Sequence, residues 1–169
     1  TIKRRRDFFT GPKSLLSHRL NREYQYFEES ELLGIMTHLI DVLEYLQQNS
    51  IAHGDIRPDA CFISKEGIIK IVNRRILYDS RSSFEIARDG DHNVFLTPHA
   101  FEALGKKQNE PIQDRYRADV FSLGMTLLEC ATLKKSAQCY DWNNFTLNLN
   151  ILSSRLLEVK ERYSETFYE

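Results

Sequence analysis

The segment from Phe27 to Leu46 constrains the fold more than any other part of the sequence. Its apolar residues recur at steps of three and four along the segment: Leu32, Leu33, Ile35, Met36, Leu39, Ile40, Val42, Leu43 and Leu46. This spacing is typical of an amphipathic α-helix whose apolar stripe faces a hydrophobic core. Glu29 or Ser30 is a candidate for its start, and Asn49-Ser50 for its end. The sequence therefore predicts a core helix that leads directly into the residues after Ser50.

A second long helix is predicted from Asp119 onward. Asp119 can cap its first turn, and a mostly apolar run follows it, as a buried helix requires. Leu149 to Val159 also shows helical spacing, and Arg162-Tyr163-Ser164-Glu165 is typical of the start of a further helix. Near the beginning of the chain, Ser14 to Leu20 indicates a short helix that Ser14 could cap.

Short β-structure is predicted at one place. Phe62-Ile63-Ser64 and Ile68 to Val72 are rich in β-branched residues and flank the turn signal Lys65-Glu66-Gly67, which is typical of a two-stranded hairpin. Asn73 to Leu96 has no sustained periodicity and indicates a long polar connection. Tyr140 to Asn144 is expected to form a polar-aromatic loop. The fold class predicted from these signals is mainly α with a small β-hairpin.

Composition limits the classes of partner. The 169 residues suit one domain, and 41% hydrophobic residues are enough to fill its core. A net charge of -1 recruits neither nucleic acid nor an anionic membrane, and the basic run Lys3 to Arg6 is interpreted as a solvated edge rather than a nucleic-acid arm. These 169 residues show neither a charged-then-apolar leader pattern nor an apolar run long enough to span a bilayer, so no membrane association is expected of them.

The cysteines bear on the compartment. Cys61, Cys130 and Cys139 are an odd number without metal-ligand spacing, which favours reduced, partly buried thiols over disulfides or a zinc site. An intracellular protein, most simply a cytoplasmic one, is expected.

The stretch His53-Gly54-Asp55-Ile56-Arg57-Pro58-Asp59-Ala60 resembles the catalytic loop of eukaryotic protein kinases, which that family writes H-R-D-L-K-P-E-N. Arg117 to Gly124, which reads R-A-D-V-F-S-L-G, is similar to the start of the central helix of the kinase large lobe. In the family, the Asp that matches Asp119 accepts hydrogen bonds from the catalytic-loop backbone. The resemblance implies a kinase-like C-lobe with the N-lobe absent from this chain.

The resemblance also implies a division of the chain. Residues 1–12 correspond to a hinge-like segment, and residues 13–169 to a partial C-lobe truncated at its C-terminus. Within that lobe, the catalytic-loop equivalent covers residues 53–63, the activation-segment equivalent residues 73–99, and the central helix residues 119–133.

The resemblance implies which residues would carry phosphoryl transfer and which are changed. Asp55 matches the catalytic base, and Arg57 stands where the family has a Lys that steadies the transferred phosphoryl group. The family's metal ligands are replaced by Ala60 and Asn73, and Arg74 and Arg75 follow, so no metal site is expected. Asp55 is then more simply a hydrogen-bonding residue of the loop than a working base.

Nucleotide contacts are assigned only to Asn73 and Phe62, because both match positions that border the family's nucleotide site. Cys61 and Phe62 could equally be core residues, and His92 and His99 are interpreted as surface residues.

Three functions remain open from the sequence. The first is a non-catalytic pseudokinase that binds protein partners within a larger assembly and needs no cofactor. The second is a serine/threonine kinase that uses ATP and magnesium in an atypical way. The third is a metal-independent nucleotide sensor, in which Arg74 or Arg75 faces a phosphate.

Overall fold

The computed structural model describes residues 13–14, 26–64, 68–72 and 81–168. The helices in these ranges are α1 (Glu29–Gln48), α2 (Ser83–Arg88), α3 (Pro98–Gly105), α4 (Arg115–Thr132), α5 (Leu149–Arg162) and α6 (Glu165–Tyr168). The strands are β1 (Lys13–Ser14), β2 (Cys61–Ile63), β3 (Ile69–Ile71), β4 (Tyr140–Asp141) and β5 (Thr146–Leu147). The described chain is thus mainly helical with small sheets, as predicted.

Helix α1 confirms the strongest sequence signal. Its inward stripe buries Leu32, Ile35 and Leu39, and its C-terminal cap is Asn49. The helix begins at Glu29, one of the two residues predicted for its start. The N-cap is Glu28, because Glu28 and Glu31 exchange side-chain and backbone hydrogen bonds in a capping box.

The predicted hairpin forms between β2 and β3, in an antiparallel register that pairs Phe62 with Lys70. Strand β1 joins it on the other side, where Ser14 pairs with Phe62. The helix predicted from Ser14 is therefore wrong at its first residue, because strand pairing takes the backbone groups that a helix would use. The rest of that prediction and the hinge-like segment 1–12 lie outside the described residues.

Helix α4 begins earlier than predicted. Asp114, not Asp119, is its N-cap, and the Asp114 side chain accepts hydrogen bonds from the N–H groups of Tyr116 and Arg117. Asp119 lies one turn inside the helix and is buried. The expected range 119–133 is corrected to Arg115–Thr132, with Leu133 as a left-handed C-cap.

Two connections are more ordered than the sequence indicated. Helix α2 lies within the supposed polar connection and buries Phe84, Ile86 and Ala87. It forms because Ser82 and Glu85 make a capping box. The predicted polar-aromatic loop contains strand β4, which pairs with β5.

Two hydrophobic clusters share α4. The first contains residues of α1, β2, α4 and α5, among them Leu32, Cys61 and Leu128. The second joins α2 and α3 to β4 and the end of the activation-segment equivalent, and Phe101 lies among Tyr140, Trp142 and Phe145. The catalytic-loop equivalent follows α1 and meets α4, so the first cluster sets its position.

All three cysteines of the sequence are free and buried, as predicted. No helix within the described ranges is long and apolar enough to cross a membrane. His99 is exposed as predicted. His92 is exposed too, but its ring stacks on Trp142 with centroids 3.6 Å apart, so it also holds the segment against the β4–β5 hairpin.

Two glycines provide a matched test of the packing. A Cβ atom on Gly105 would lie 2.5 Å from the Cβ and Cγ atoms of Phe145, whereas one on Gly34 would meet nothing within 4 Å. We expect Gly105→Ala to lower the free energy of unfolding by about 2 kcal/mol through overpacking. Gly34→Ala should raise it by about 0.5–1 kcal/mol, because alanine loses less backbone entropy in a helix. Urea unfolding of both variants measures this, and equal effects of one sign would contradict the described contact.

Candidate functional site

The catalytic-loop equivalent, residues 53–63, follows α1 and includes strand β2. Before β2 it makes a 3-10 turn, Pro58–Ala60, which begins with proline and is closed by the bond from the Ala60 N–H to the Arg57 carbonyl, 2.9 Å long. Side chains of this stretch point into the protein, since His53, Asp55 and Ile56 are all buried. Local turn chemistry and burial together therefore fix the loop in one conformation.

Asp119 of α4 anchors the beginning of this loop. One of its carboxylate oxygens accepts the His53 N–H and the other accepts the Gly54 N–H, both at 2.7 Å. Burial raises the pKa of Asp119, although the two N–H bonds act in the opposite direction. Gly54 has a φ of 76°, in the left-handed region that glycine adopts without strain. The bond from Asp119 to the loop backbone, which the kinase resemblance implied, is confirmed.

Asp55 and Arg57, the predicted catalytic pair, are in direct contact. Arg57 Nε donates to Asp55 Oδ1 at 2.9 Å, and the two side chains are only 13% and 3% exposed. This geometry places the matched residues together but gives the Asp55 carboxylate an internal cation as its partner. Their catalytic role stays a prediction.

Asp59 is a residue whose position the sequence reasoning did not single out. Its Oδ2 atom lies 3.7 Å from Arg57 Nη1 and 3.6 Å from Lys135 Nζ, and it accepts a hydrogen bond from Asn93 Nδ2 at 3.2 Å. These partners come from the loop itself, from the chain after α4 and from the activation-segment equivalent. Asp59 therefore connects three parts of the chain.

Lys135 extends this network to a second carboxylate. Its Nζ atom lies 3.1 Å from Oε1 of Glu129, a residue that is 2% exposed. Burial lowers the pKa of Lys135, but the carboxylates of Glu129 and Asp59 outweigh burial, so the net shift is upward. Lys135 is thus held as a cation between the two acids.

Of the residues matched to metal and nucleotide positions, Ala60 and Phe62 lie within the described residues. Ala60 is buried, and its carbonyl accepts the Val72 N–H at 2.8 Å. Within the described residues, no group of three His, Cys, Asp or Glu side chains could hold a metal ion. Asn73, Arg74 and Arg75 lie outside the described residues. Phe62 is half-buried in β2, and strand alternation directs it away from the face of Cys61.

A cavity of about 410 Å³ borders the loop on the side of Gly54 and Asp119. Part of its wall comes from the N-terminus of α2, where Ser83 Oγ donates to the Gly54 carbonyl at 2.6 Å. Ser82 Oγ donates to Glu110 at 2.7 Å across the same space. The activation-segment equivalent is therefore attached directly to the catalytic-loop equivalent.

His53 is buried in its neutral form. Burial lowers its pKa to about 4, and the nearby Asp55 carboxylate offsets only part of this shift. The Asp55 N–H donates to Nδ1 of His53 at 3.2 Å, so the neutral ring carries its proton on Nε2. Protonation of Nδ1 would break this bond.

Removal of the Asp119 carboxylate should release the loop. We expect Asp119→Ala to lower the free energy of unfolding by about 3 kcal/mol, because two inward N–H groups lose a charged acceptor. Asp119→Asn keeps one acceptor oxygen and should cost less. Asp114→Ala, a cap deletion on the same helix, should cost about 1 kcal/mol. Urea unfolding ranks the three variants, and an Asp119→Ala effect no larger than that of Asp114→Ala would contradict this anchoring.

Because His53 is buried in its neutral form, we expect the free energy of unfolding to fall at acidic pH. Its folded pKa of about 4 lies below the ordinary value of 6.5, so its contribution is complete above pH 6.5 and is lost as the pH falls toward 4. The loss should reach about 3 kcal/mol. Urea unfolding from pH 7 to pH 4 should show a steeper decline for the wild type than for His53→Gln, and parallel declines would contradict the shift.

Comparison with known proteins agrees with the geometry. The family model described as protein tyrosine and serine/threonine kinase matches residues 10–169. The chain is 30% identical over 106 residues to the membrane-associated tyrosine- and threonine-specific cdc2-inhibitory kinase wee-1.3 of Caenorhabditis briggsae, which covers 62% of this chain and 15% of that protein. It is 27% identical over 139 residues to the serine/threonine-protein kinase Nek1 of Mus musculus, or 82% of this chain and 11% of that protein.

A third relative is the MAP kinase kinase mkk-4 of Caenorhabditis elegans, 31% identical over 108 residues, with 62% of this chain and 27% of that protein covered. The chain therefore spans about a quarter or less of the length of these relatives. The family model, in contrast, covers nearly the whole chain. This protein belongs to the protein tyrosine and serine/threonine kinase family.

Proposed function

We propose that this chain is a non-catalytic kinase-like module that binds protein partners, as a scaffold or a structural part of a larger assembly. The observation that carries this proposal is Ala60, because the loop around it is fixed in place while position 60 offers no side-chain oxygen to a metal ion. Phosphoryl transfer in this family depends on metal ions that neutralise the phosphates. A loop without that ligand keeps its architecture and loses the chemistry.

The environment of Asp55 supports the same proposal. A catalytic base must reach the hydroxyl proton that it removes. The Asp55 side chain is 3% exposed and pairs with Arg57 at 2.9 Å, so it serves the loop as an internal hydrogen-bonding and ion-pairing group. Arg57 also lies near Asp59, and its positive charge between two carboxylates opposes a divalent cation there.

The proposal includes the partner class and the compartment. The near-neutral net charge disfavours nucleic acid and anionic membranes, so the partners are proteins. Three free, buried cysteines fit a reducing, intracellular location. No cofactor is required by this function.

Metal-dependent nucleotide binding tests the proposal. In a thermal-shift titration of the full-length protein with ATP, we expect no stabilisation that requires magnesium. The double variant Ala60→Asn with Asn73→Asp restores both matched ligand positions and should gain a magnesium-dependent shift, since ligand binding to the folded state raises stability. Ala60→Ser with Asn73→Ser is the matched control and should gain none.

The same preparation distinguishes the alternatives. Magnesium-dependent phosphorylation of a protein substrate by the wild type, abolished by Asp55→Asn, would contradict the proposal and establish an atypical serine/threonine kinase. An ATP-induced shift of equal size with and without magnesium would instead establish the nucleotide sensor.

A further inference from the structure

The cavity of about 410 Å³ beside Gly54 is a preformed space. Its walls come from the loop, from α2, from residues 95–97 and from the chain between Glu110 and the first turns of α4. Hydrogen bonds from Ser82 to Glu110 and from Ser83 to the Gly54 carbonyl hold α2 in this wall. The volume lies within the range of small-ligand sites, roughly 300–1,000 Å³. The cavity is therefore large enough, and fixed enough, to take a side chain of another molecule.

The charged residues of these walls are mostly acidic. Among the described residues that line the cavity they are Glu85, Glu110 and Asp119, against one cation, Arg115. Oε2 of Glu110 accepts the hydrogen bond from Ser82, whereas its Oε1 atom accepts none from the described parts of the chain. The walls thus carry an excess of negative charge and an acceptor that the fold leaves unused.

Asp119 places one of these negative charges in a buried position. Three carboxylates are buried among the described residues, those of Asp55, Asp119 and Glu129. Asp55 is paired with Arg57 and Glu129 with Lys135. Asp119, only 3% exposed, accepts two neutral N–H groups and forms no ion pair within 4 Å in the described ranges. Burial raises its pKa, and a cation held in the cavity would oppose that shift.

We propose that the cavity receives an arginine side chain from a segment of a partner protein, whose guanidinium is attracted by Glu110 and the other acidic residues of the walls. The proposal rests on the protein-binding function proposed above and names the chemistry of the partner. A guanidinium presents five donors in a planar fork, which suits carboxylates on different walls. It is also more weakly hydrated than the ammonium group of lysine, so its transfer into a partly enclosed site costs less.

Short glycine-serine peptides with one central arginine, lysine or citrulline provide the probe. In thermal-shift titrations of the full-length protein at millimolar peptide, the arginine peptide should raise the melting temperature, because it binds the folded state. The citrulline peptide, which is similar in shape but neutral, should have no effect, and the lysine peptide should bind more weakly than the arginine peptide. Sodium chloride should weaken the arginine effect by screening the charges.

Substitutions in the walls test the electrostatic basis. Glu110→Gln keeps an acceptor oxygen for Ser82 and removes one negative charge, so the dissociation constant of the arginine peptide should rise about fivefold. Arg115→Gln removes the competing cation and should lower that constant about threefold. Glu102→Gln, which removes an exposed charge of α3 outside the cavity, is the matched control and should change neither value. A role of Glu110 in the fold alone would not alter the preference for arginine over citrulline.

A substitution that fills the space tests the cavity itself. Ala118 lines it from the first turn of α4, and Ala118→Leu should abolish the shift caused by the arginine peptide. Thermal melts without peptide show whether each variant is folded. If Ala118→Leu does not fold, the opposite effects of Glu110→Gln and Arg115→Gln decide the proposal.

Five results would overturn the proposal. They are no shift with the arginine peptide, an equal shift with the citrulline peptide, and a shift that the wall substitutions leave unchanged. The fourth is binding of free N-acetyl-arginine amide as tight as that of the peptide, which would assign the cavity to a small cation. The fifth is a shift that appears only in Arg74→Gln with Arg75→Gln, which would mean that arginines of this chain compete for the cavity.

The phosphorylation assay on the same preparation tests the proposed function separately. A protein that phosphorylates substrates and also binds the arginine peptide through Glu110 would contradict the non-catalytic function and leave the ligand of the cavity intact. A protein without phosphorylation and without arginine binding would contradict the cavity proposal alone.

Discussion

The catalytic-loop equivalent depends on the hydrogen bonds that its backbone donates to the Asp119 carboxylate. It binds two consecutive backbone N–H groups, at His53 and Gly54, that are 66 and 65 residues away in the sequence. An inward N–H without an acceptor is costly, so the central helix and the loop fix each other. The anchored backbone at Gly54 in turn positions the residues that follow it: Arg57 with its ion pair, the turn that begins at Pro58, and strand β2.

Sequence reasoning located the helices whose buried residues repeat locally, but it misplaced the start of α4 and missed the short helix α2. Periodicity identified α1 and most of α4 and α5, because their buried stripes repeat locally. The beginning of α4 was misplaced because an Asp at a helix start looks like a cap, while Asp119 is bound to a distant loop and Asp114 is the actual cap. Helix α2 was missed although its capping box, Ser82 and Glu85, is legible in the sequence.

The site was predictable only as far as its contacts are local. Asp55 and Arg57 are two residues apart, so a motif suffices to place them together. The approach of Asn93 and Lys135 to Asp59 is set by the packing of the second cluster and by the turn after α4. The residues next to Asn93 and Lys135 in the sequence contain no motif that predicts a contact with the loop. Such contacts follow from the three-dimensional packing and not from any short stretch of sequence.

These long-range contacts supply the positive charge that the carboxylates of the loop need. Asp55, Asp59 and the buried Glu129 bring three carboxylates close to one another, and carboxylates in a partly dehydrated site need positive charge nearby. Arg57 and Lys135 supply it from within the chain. An arginine paired with Asp55 and a lysine shared by Asp59 and Glu129 stabilise the negative charge permanently, whereas a bound cation would do so only while it stays. The negative charges around this loop are therefore balanced by side chains of the chain itself, which is the condition that the proposed non-catalytic function requires.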